Sequence, residues 1–327
     1  MSDLADHLSG PNAQFLRKTF LVSKVFELMD PFLAFSGMFP AVPVDARAVI
    51  TTKDNYSAST DPLKVWPARL TESSDWPNVS ITPMVQDSAM LQKHGLQLKV
   101  GEDLLKTASD RTTIMKDVQR VAFWMAQFMN ANIGTTLVAD ATDLAGNWTP
   151  TSVWSNLATA TPIQDLVTFK RSMRRTDKPF ACTDIFINTA DYNDLELYLI
   201  DVNADLAKRQ MIGTTTVGED SIYIPALRGT VHRIDDGIDE STIVGLDKVN
   251  PAGTYYYYND GRYGTQSVTY PTRAPDTGSR VMKTVPGFGL NTHQYFDDKT
   301  HEIVTQFWFD GIFVVEEPYG VIKDTGI

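Results

Sequence analysis

"EDLLKTASDRTTIMKDVQRVAFWMAQFMNANIG", residues Glu102 to Gly134, is the longest stretch of this chain that carries the pattern of one uninterrupted helix. Leu104, Ala108, Met115, Val118, Ala122, Met125 and Met129 recur at steps of four and three, with only Arg111 breaking the series; that period places them on one buried face. Glu102 and Asp103 fall in the first turn, where the positive end of the helix dipole favours carboxylates, and Asn132 with Gly134 tolerates a left-handed C-cap. No proline lies between Pro83 and Pro150, so nothing forces a kink, and the rod should be about 40 Å long. From Val121 to Met129 the residues are apolar nearly all the way round, so burial on several sides is expected there. On that expectation Trp124→Asp abolishes soluble protein. The run is shorter than the ~18 apolar residues of a membrane span.

The rest of the chain has a different rhythm. Phe15, Leu16, Leu21, Val22, Val25, Phe26 and Met29 predict a short amphipathic helix, stopped by Asp30-Pro31. The next segment, residues 31–47, holds Pro31, Pro40 and Pro43 among many apolar positions; it suits a strap laid over a surface better than an independent unit. Two strand-like stretches follow, residues 46–57 and 64–85, punctuated by Pro67, Pro77 and Pro83 and carrying Trp66 and Trp76. They resemble a two-stranded arm, and an isolated ribbon is marginal in water, so it should lean on something else, such as another subunit.

A domain boundary is expected near residues 139–148, where the turn-rich crossing "GNWTPTSVWSNLATATP" begins, and at its end Thr161 and Pro162 predict the start of a helix, with Ile163, Leu166, Val167 and Met173 as its apolar side. A strand-then-helix pattern occupies 183–206, and strands are expected in "SIYIPAL", "GTVHRID" and "STIVGL". "GTYYYYNDGRYG", from Gly253, puts successive tyrosines on opposite faces of a strand, a use for sheet packing. The tail, "HEIVTQFWFDGIFVVEEPYGVI", is strongly strand-forming, with Asp310-Gly311 expected to mark a hairpin turn or bulge. Its apolar face needs a partner, and the long helix offers the only other apolar surface of matching length.

Charge and motifs exclude several classes of function. Lys and Arg total 29 against 40 Asp and Glu, a formal net charge of −11, which disfavours a surface that grips nucleic acid or anionic membrane. The single cysteine, Cys182, allows no intrachain disulfide and no cysteine-rich zinc site. Residues 15–35 are broken by Lys24, Glu27 and Asp30 and lack the apolar core of a signal peptide, so the chain is expected to stay where it is made. No phosphate-binding glycine loop, nucleophile elbow, HExxH or EF-hand loop is present, and the five histidines are scattered singly. Asp235, Asp236, Asp239 and Glu240 are dense in carboxylate but lack calcium-loop spacing and suit a solvated turn. No catalytic, cofactor-binding or metal-binding residue is assigned. A basic cluster, Lys170, Arg171, Arg174, Arg175 and Lys178, lies at and beyond the second predicted helix. It compensates the helix dipole and is placed to pair with a neighbour's carboxylates.

The order of these elements resembles the Hong Kong 97-type α+β fold of major capsid proteins from tailed phages and archaeal tailed viruses. In that resemblance residues 1–46 are an N-terminal arm, 47–85 an extended loop, 86–139 with 291–327 a peripheral domain built on a spine helix, and 140–290 an inserted axial domain. The stretches "ALRGTVHRIDDGI" and "TQFWFDGIFVVEEPYGVI" are similar to that family's axial turn and closing strands. The resemblance implies a structural protein, not an enzyme and without cofactor, whose hexamers and pentamers tile an icosahedral shell around double-stranded DNA in the virion, assembled in host cytoplasm. It implies many copies of itself as partner, with scaffold, portal and decoration proteins as further ones, and no membrane. Trp66, Trp76, Arg171, Arg174 and Arg175 are the expected interface residues. An encapsulin-type compartment shell is the neighbouring alternative, and a β-rich carbohydrate-binding or carbohydrate-active protein the alternative of another class.

Overall fold

The computed structural model describes residues 17–53, 85–101, 111–143, 153–156, 158–173, 180–204, 216–217, 221–258, 267–273, 280–286 and 288–327. The long helix is there as α2, Arg111–Asp140, about 45 Å at 1.5 Å per residue. It runs through Asn132 and Gly134 instead of capping on them. The reason is tertiary: a Cβ on Gly134 would come 3.0 Å from the carbonyl oxygen of Gly237, so the glycine admits a loop against the helix backbone. Residues 102–110, which carry the predicted start, lie outside the described residues.

One seam of α2, from Ile114 through Val118, Ala122, Met125 and Met129 to Leu137, is buried. It packs on α1, Lys18–Met29, the predicted amphipathic helix. It also packs on a five-stranded sheet whose central strand, β15 (Glu302–Val315), is fourteen residues long. One edge of β15 pairs antiparallel with β14 (Leu290–Asp297) and then β11 (Gly253–Tyr258); the other pairs with β4 (Gln92–Gly101). β1 (Ala41–Val44) adds parallel to β11. Alternate residues Ile303, Phe307, Phe309 and Phe313 of β15 join the helix seam in one core, each side chain contributing about 1.5–3 kcal/mol by burial. Against this, the partly buried pair Lys24–Glu27 and the more exposed pair Asp117–Arg120 contribute at most about 0.5 kcal/mol each. Asp310-Gly311 forms neither turn nor bulge: both residues pair in unbroken register with Lys93 and Gln92. Glycine is required at 311 because a Cβ would collide with Tyr255 Oη and the Tyr256 carbonyl.

A seven-stranded sheet holds β5 (Thr142–Asp143), β16 (Val321–Thr325), β10 (Thr242–Leu246), β6 (Asp184–Asn188), β9 (Gly229–Ile234), β8 (Ser221–Ile224) and β7 (Thr216–Val217), in that order. Its central strands are buried on both faces, as continuous apolar runs such as "DIFIN" require. Ile185, Ile187, Val231 and Ile243 face a second core with α3 (Pro162–Met173) and α4 (Thr189–Ala204), while Phe186, Ile234 and Val244 face the core of α2. The two sheets exchange chain ends. The tyrosine strand β11, grouped by sequence with residues 140–290, belongs to the five-stranded sheet, and β16, grouped with 291–327, belongs to the seven-stranded one. Two ribbons complete the described fold: β2 (Ala48–Lys53) with β3 (Val85–Met90), and β12 (Ser267–Arg273) with β13 (Arg280–Pro286). At α3 the predicted cap is not made, since the Thr161 hydroxyl is buried without a hydrogen-bond partner among the described residues.

The contact between α2 and the β9–β10 turn tests this architecture. Gly237 has φ +93°, and a Cβ there would lie 2.6 Å from the Ala131 carbonyl oxygen, so Gly237→Ala meets both backbone strain and a helix that cannot yield. It is expected to cost on the order of 2 kcal/mol or more, read as a lowered melting temperature. Gly101→Ala, with nothing within 4 Å of the added carbon, is the control expected to melt near wild type.

Candidate interaction surfaces

The second half of α2 differs from the sequence expectation. Met125, Ala126 and Met129 are buried, but Trp124 is 56% exposed, and Phe123 and Phe128 are about as exposed as Leu96 on β4. Among the described residues this half of the helix is covered by α1 with its following strap, by the five-stranded sheet and, toward Leu137, by the seven-stranded sheet, and the arc at Trp124 is left open. Trp124→Asp therefore places its charge in water, and the expected loss of soluble protein is withdrawn. The exposed aromatics are not scattered: His94 of β4 stacks on Phe128 with ring centroids 4.5 Å apart, and Phe32 meets Phe123 edge-on at 5.3 Å. Trp124, Met125, Phe128, Leu96, His94 and Phe309 line a groove of about 250 Å³ between helix and strand.

The strap that follows α1 is held by its own subunit. Asn130, buried in the middle of α2, accepts a hydrogen bond from the Ala34 N–H (3.1 Å) and donates one to the Phe32 carbonyl (2.7 Å), pairing with the strap as another backbone would. Phe35 stacks on Phe186 of the seven-stranded sheet, and Phe39 packs against Phe313 of the five-stranded one. The periodicity of α2 offered no sign of this, because Asn is common on exposed helix faces and only the strap makes it buried.

The expected interface residues divide. Trp66, Trp76, Arg174 and Arg175 lie outside the described residues. Arg171 is exposed at the end of α3. Lys170, counted with it in the basic cluster, turns inward instead, donating to the Leu227 and Arg228 carbonyls at 2.8 and 2.9 Å. It ties α3 to the β8–β9 turn.

The carboxylates also have structural partners. Asp235 accepts hydrogen bonds from Thr189 and from Gln127 of α2 (2.9 Å). Burial alone would raise its pKa, but these bonds and Arg233 hold the carboxyl below its ordinary range. Asp184, 2.8 Å from His232 Nε2, is likewise held low against the effect of burial by His232 and Thr183. Cys182 is buried, and desolvation pushes its thiol up to about 12, so it is inert as a nucleophile. Among the described residues no three His, Cys, Asp or Glu side chains gather so as to hold a metal ion.

No family model matches the sequence and no curated protein does. Solved structures match over nearly the whole chain. A virus-like particle from Pyrococcus furiosus aligns with TM-score 0.53 at 10% identity, over 93% of this chain and 96% of its own. The capsid of a native GTA particle aligns with TM-score 0.51 at 13% identity, over 90% of each chain. The fold is thus the Hong Kong 97-type α+β capsid fold.

One buried group gives a pH prediction. Burial pushes Asp191 up to about 6; the Ser241 N–H opposes this, and Asp194 and Glu240 add to it. The folded state therefore holds this proton above the ordinary carboxylate range, and Asp191 withdraws stability as pH rises from about 4 through 6. Asp191→Asn, which keeps an acceptor for Ser241, is expected to gain stability over wild type as pH goes from 4 to 7. The gain is bounded at about 3 kcal/mol by the shift. Paired thermal melts at each pH read it.

Proposed function

We propose that this chain is a structural shell protein, a major capsid protein that assembles through hexamers and pentamers into an icosahedral container for double-stranded DNA. The observation that carries the reading is a capsid fold matched along nine-tenths of the chain, in a molecule whose unsatisfied features are surfaces for other chains. The division into arm (1–46), extended loop (47–85), peripheral domain (86–139 and 291–327) and axial domain (140–290) belongs to this reading. So do residence in the virion after assembly in host cytoplasm, a structural rather than enzymatic role, and scaffold, portal and decoration proteins as partners. The net charge of −11 suits a container that holds nucleic acid without adhering to it. The likeness to a virus-like particle supports a second reading, a compartment shell around protein cargo, and particle contents separate the two: DNA for the first, a cargo protein for the second.

The extended loop provides the direct test. One face of the β2–β3 ribbon is exposed, with Ile50 74% and Met90 71% exposed, while Thr51 on the other face is buried; replacing residues 53–77 by a short Gly-Ser turn is expected to remove little of the subunit's own core. The variant is expected to fold and melt cooperatively while forming no shells by electron microscopy. Intact shells would refute the interlocking role, and an unfolded subunit would assign the loop to the subunit's own core.

The basic cluster gives a second test. Arg174→Glu with Arg175→Glu is expected to leave a folded subunit whose assembly is impaired at two salt concentrations in sedimentation, more so at low salt. Unchanged assembly at both would return the cluster to an ordinary solvated face.

A further inference from the structure

The face of the five-stranded sheet turned away from α2 carries a surface of different chemistry. Leu98 and Val100 of β4 and Phe307 and Phe309 of β15 lie in the core with α2. By the two-residue period of a strand, Lys93, Gly95 and Gln97, and with them Gln306 and Trp308, therefore stand on the opposite face. There they line a trough of about 340 Å³, within the range of small-molecule sites. The register sets its layers: Gly95 lies directly across from Trp308, and Gln97 from Gln306. A Cβ at Gly95 would come 2.5 Å from Trp308 Cβ and collide with the Phe307 carbonyl oxygen, so no side chain can stand opposite the indole, and the trough opens over this gap. The Lys93 ammonium lies over the indole, 4.2 Å from the ring centroid. Beside it the two carboxamides are cross-strand neighbours, with Cβ atoms about 5 Å apart, and neither has a hydrogen-bond partner among the described residues.

We propose that this trough binds a saccharide, with one pyranose ring stacked on Trp308 and two neighbouring hydroxyls held by Gln97 and Gln306. The flat face of a pyranose presents polarised C–H bonds to the negative face of the indole. Each hydroxyl is both donor and acceptor, and each carboxamide supplies an oxygen that accepts and an NH2 that donates, so a vicinal pair of hydroxyls satisfies both amides without any charge. A single nucleic-acid strand could use the same indole and amides, but it also needs cations along its phosphates. Here Lys93 is turned onto the indole, and Lys99, two residues beyond Gln97, stands 3.9 Å from Glu302, in a chain of net charge −11. A neutral sugar ring requires only that Lys93 swing aside, and a cation–π contact at an exposed site is weak enough to allow it. Binding of this kind belongs to the single subunit and does not depend on assembly.

The test is isothermal titration calorimetry on the full-length chain, with maltohexaose, cellohexaose, chitohexaose and galactose- and mannose-terminated oligosaccharides as probes. At least one of them is expected to bind. Trp308→Ala is expected to weaken that binding about tenfold and Gln97→Ala about fivefold, whereas Lys93→Ala, which uncovers the ring, strengthens it about threefold. No binding by any probe overturns the proposal, as does binding that Trp308→Ala and Gln97→Ala leave unchanged. Lys93→Ala binding no tighter than wild type would overturn it too, because the sugar would then not occupy the ring face. Single-stranded DNA of mixed sequence that binds where the sugars do not, and is lost in the same variants, would replace the saccharide by a nucleic acid. Should Trp308→Ala unfold, Gln97→Ala, at an exposed position of β4, still decides. Subunits that bind sugar but form no particle would sink the assembly reading alone.

Discussion

The apolar seam of α2 is longer than either sheet can cover, and this mismatch organises the chain. From Ile114 to Met129 the seam is roofed by the five-stranded sheet and α1; toward Leu137 it reaches the seven-stranded sheet. Both sheets must therefore be built against one rod. The joints are specific: Gly134 against Gly237, Gln127 to Asp235, and Lys323 of β16 donating to the Val138 carbonyl at 2.8 Å. Because the helix backbone passes unbroken between the two sheets, their relative placement follows from its stiffness. The crossing of β11 and β16 into opposite sheets reinforces the joint, since neither sheet closes without strands from distant parts of the chain.

The second consequence of the same geometry is what stays uncovered. A helix clamped between α1 and a sheet buries an arc of its surface and leaves the opposite arc free, and here that arc holds Trp124 and Phe128. Solitary exposed apolar residues need no explanation, but aromatics gathered along a groove beside a ten-residue edge that is unpaired among the described residues form a contiguous surface of the kind that marks a docking site. The strap shows that the chain can satisfy such surfaces internally. Asn130 and the Phe35 and Phe39 stacks cover one side of α2 with the subunit's own residues. The β4 side has no such cover among the described residues.

Much of this was legible in the sequence, for physical reasons that differ by element. The four-and-three spacing from Val118 to Met129 specifies a helix and one buried face because the 3.6-residue period is local. "STIVGL" and "DIFIN" declare strands because their β-branched and aromatic residues suit a pleated, doubly covered surface. The alternation of Tyr255 and Tyr257 inward with Tyr256 and Tyr258 outward follows from the two-residue period of any strand. The arm, ribbon, long helix and returning strands then sufficed to suggest the fold, since their order along the chain is itself a sequence property.

What the sequence by itself determined was therefore periodicity, charge and element order, all set by neighbours a few residues away. Only the tertiary structure decided that Gly134 admits Gly237 instead of ending a helix, and that Gly311 clears Tyr255 instead of turning a strand. The same is true of Lys170, which serves the Leu227 and Arg228 carbonyls, and of the run around Trp124, whose Trp124 side is left open among the described residues. Each of these depends on which distant segment arrives at the position. A glycine is silent about whether it is needed for its dihedral freedom or for its missing Cβ until the colliding atom is in place, and an apolar helix face is silent about whether its own chain or another will cover it.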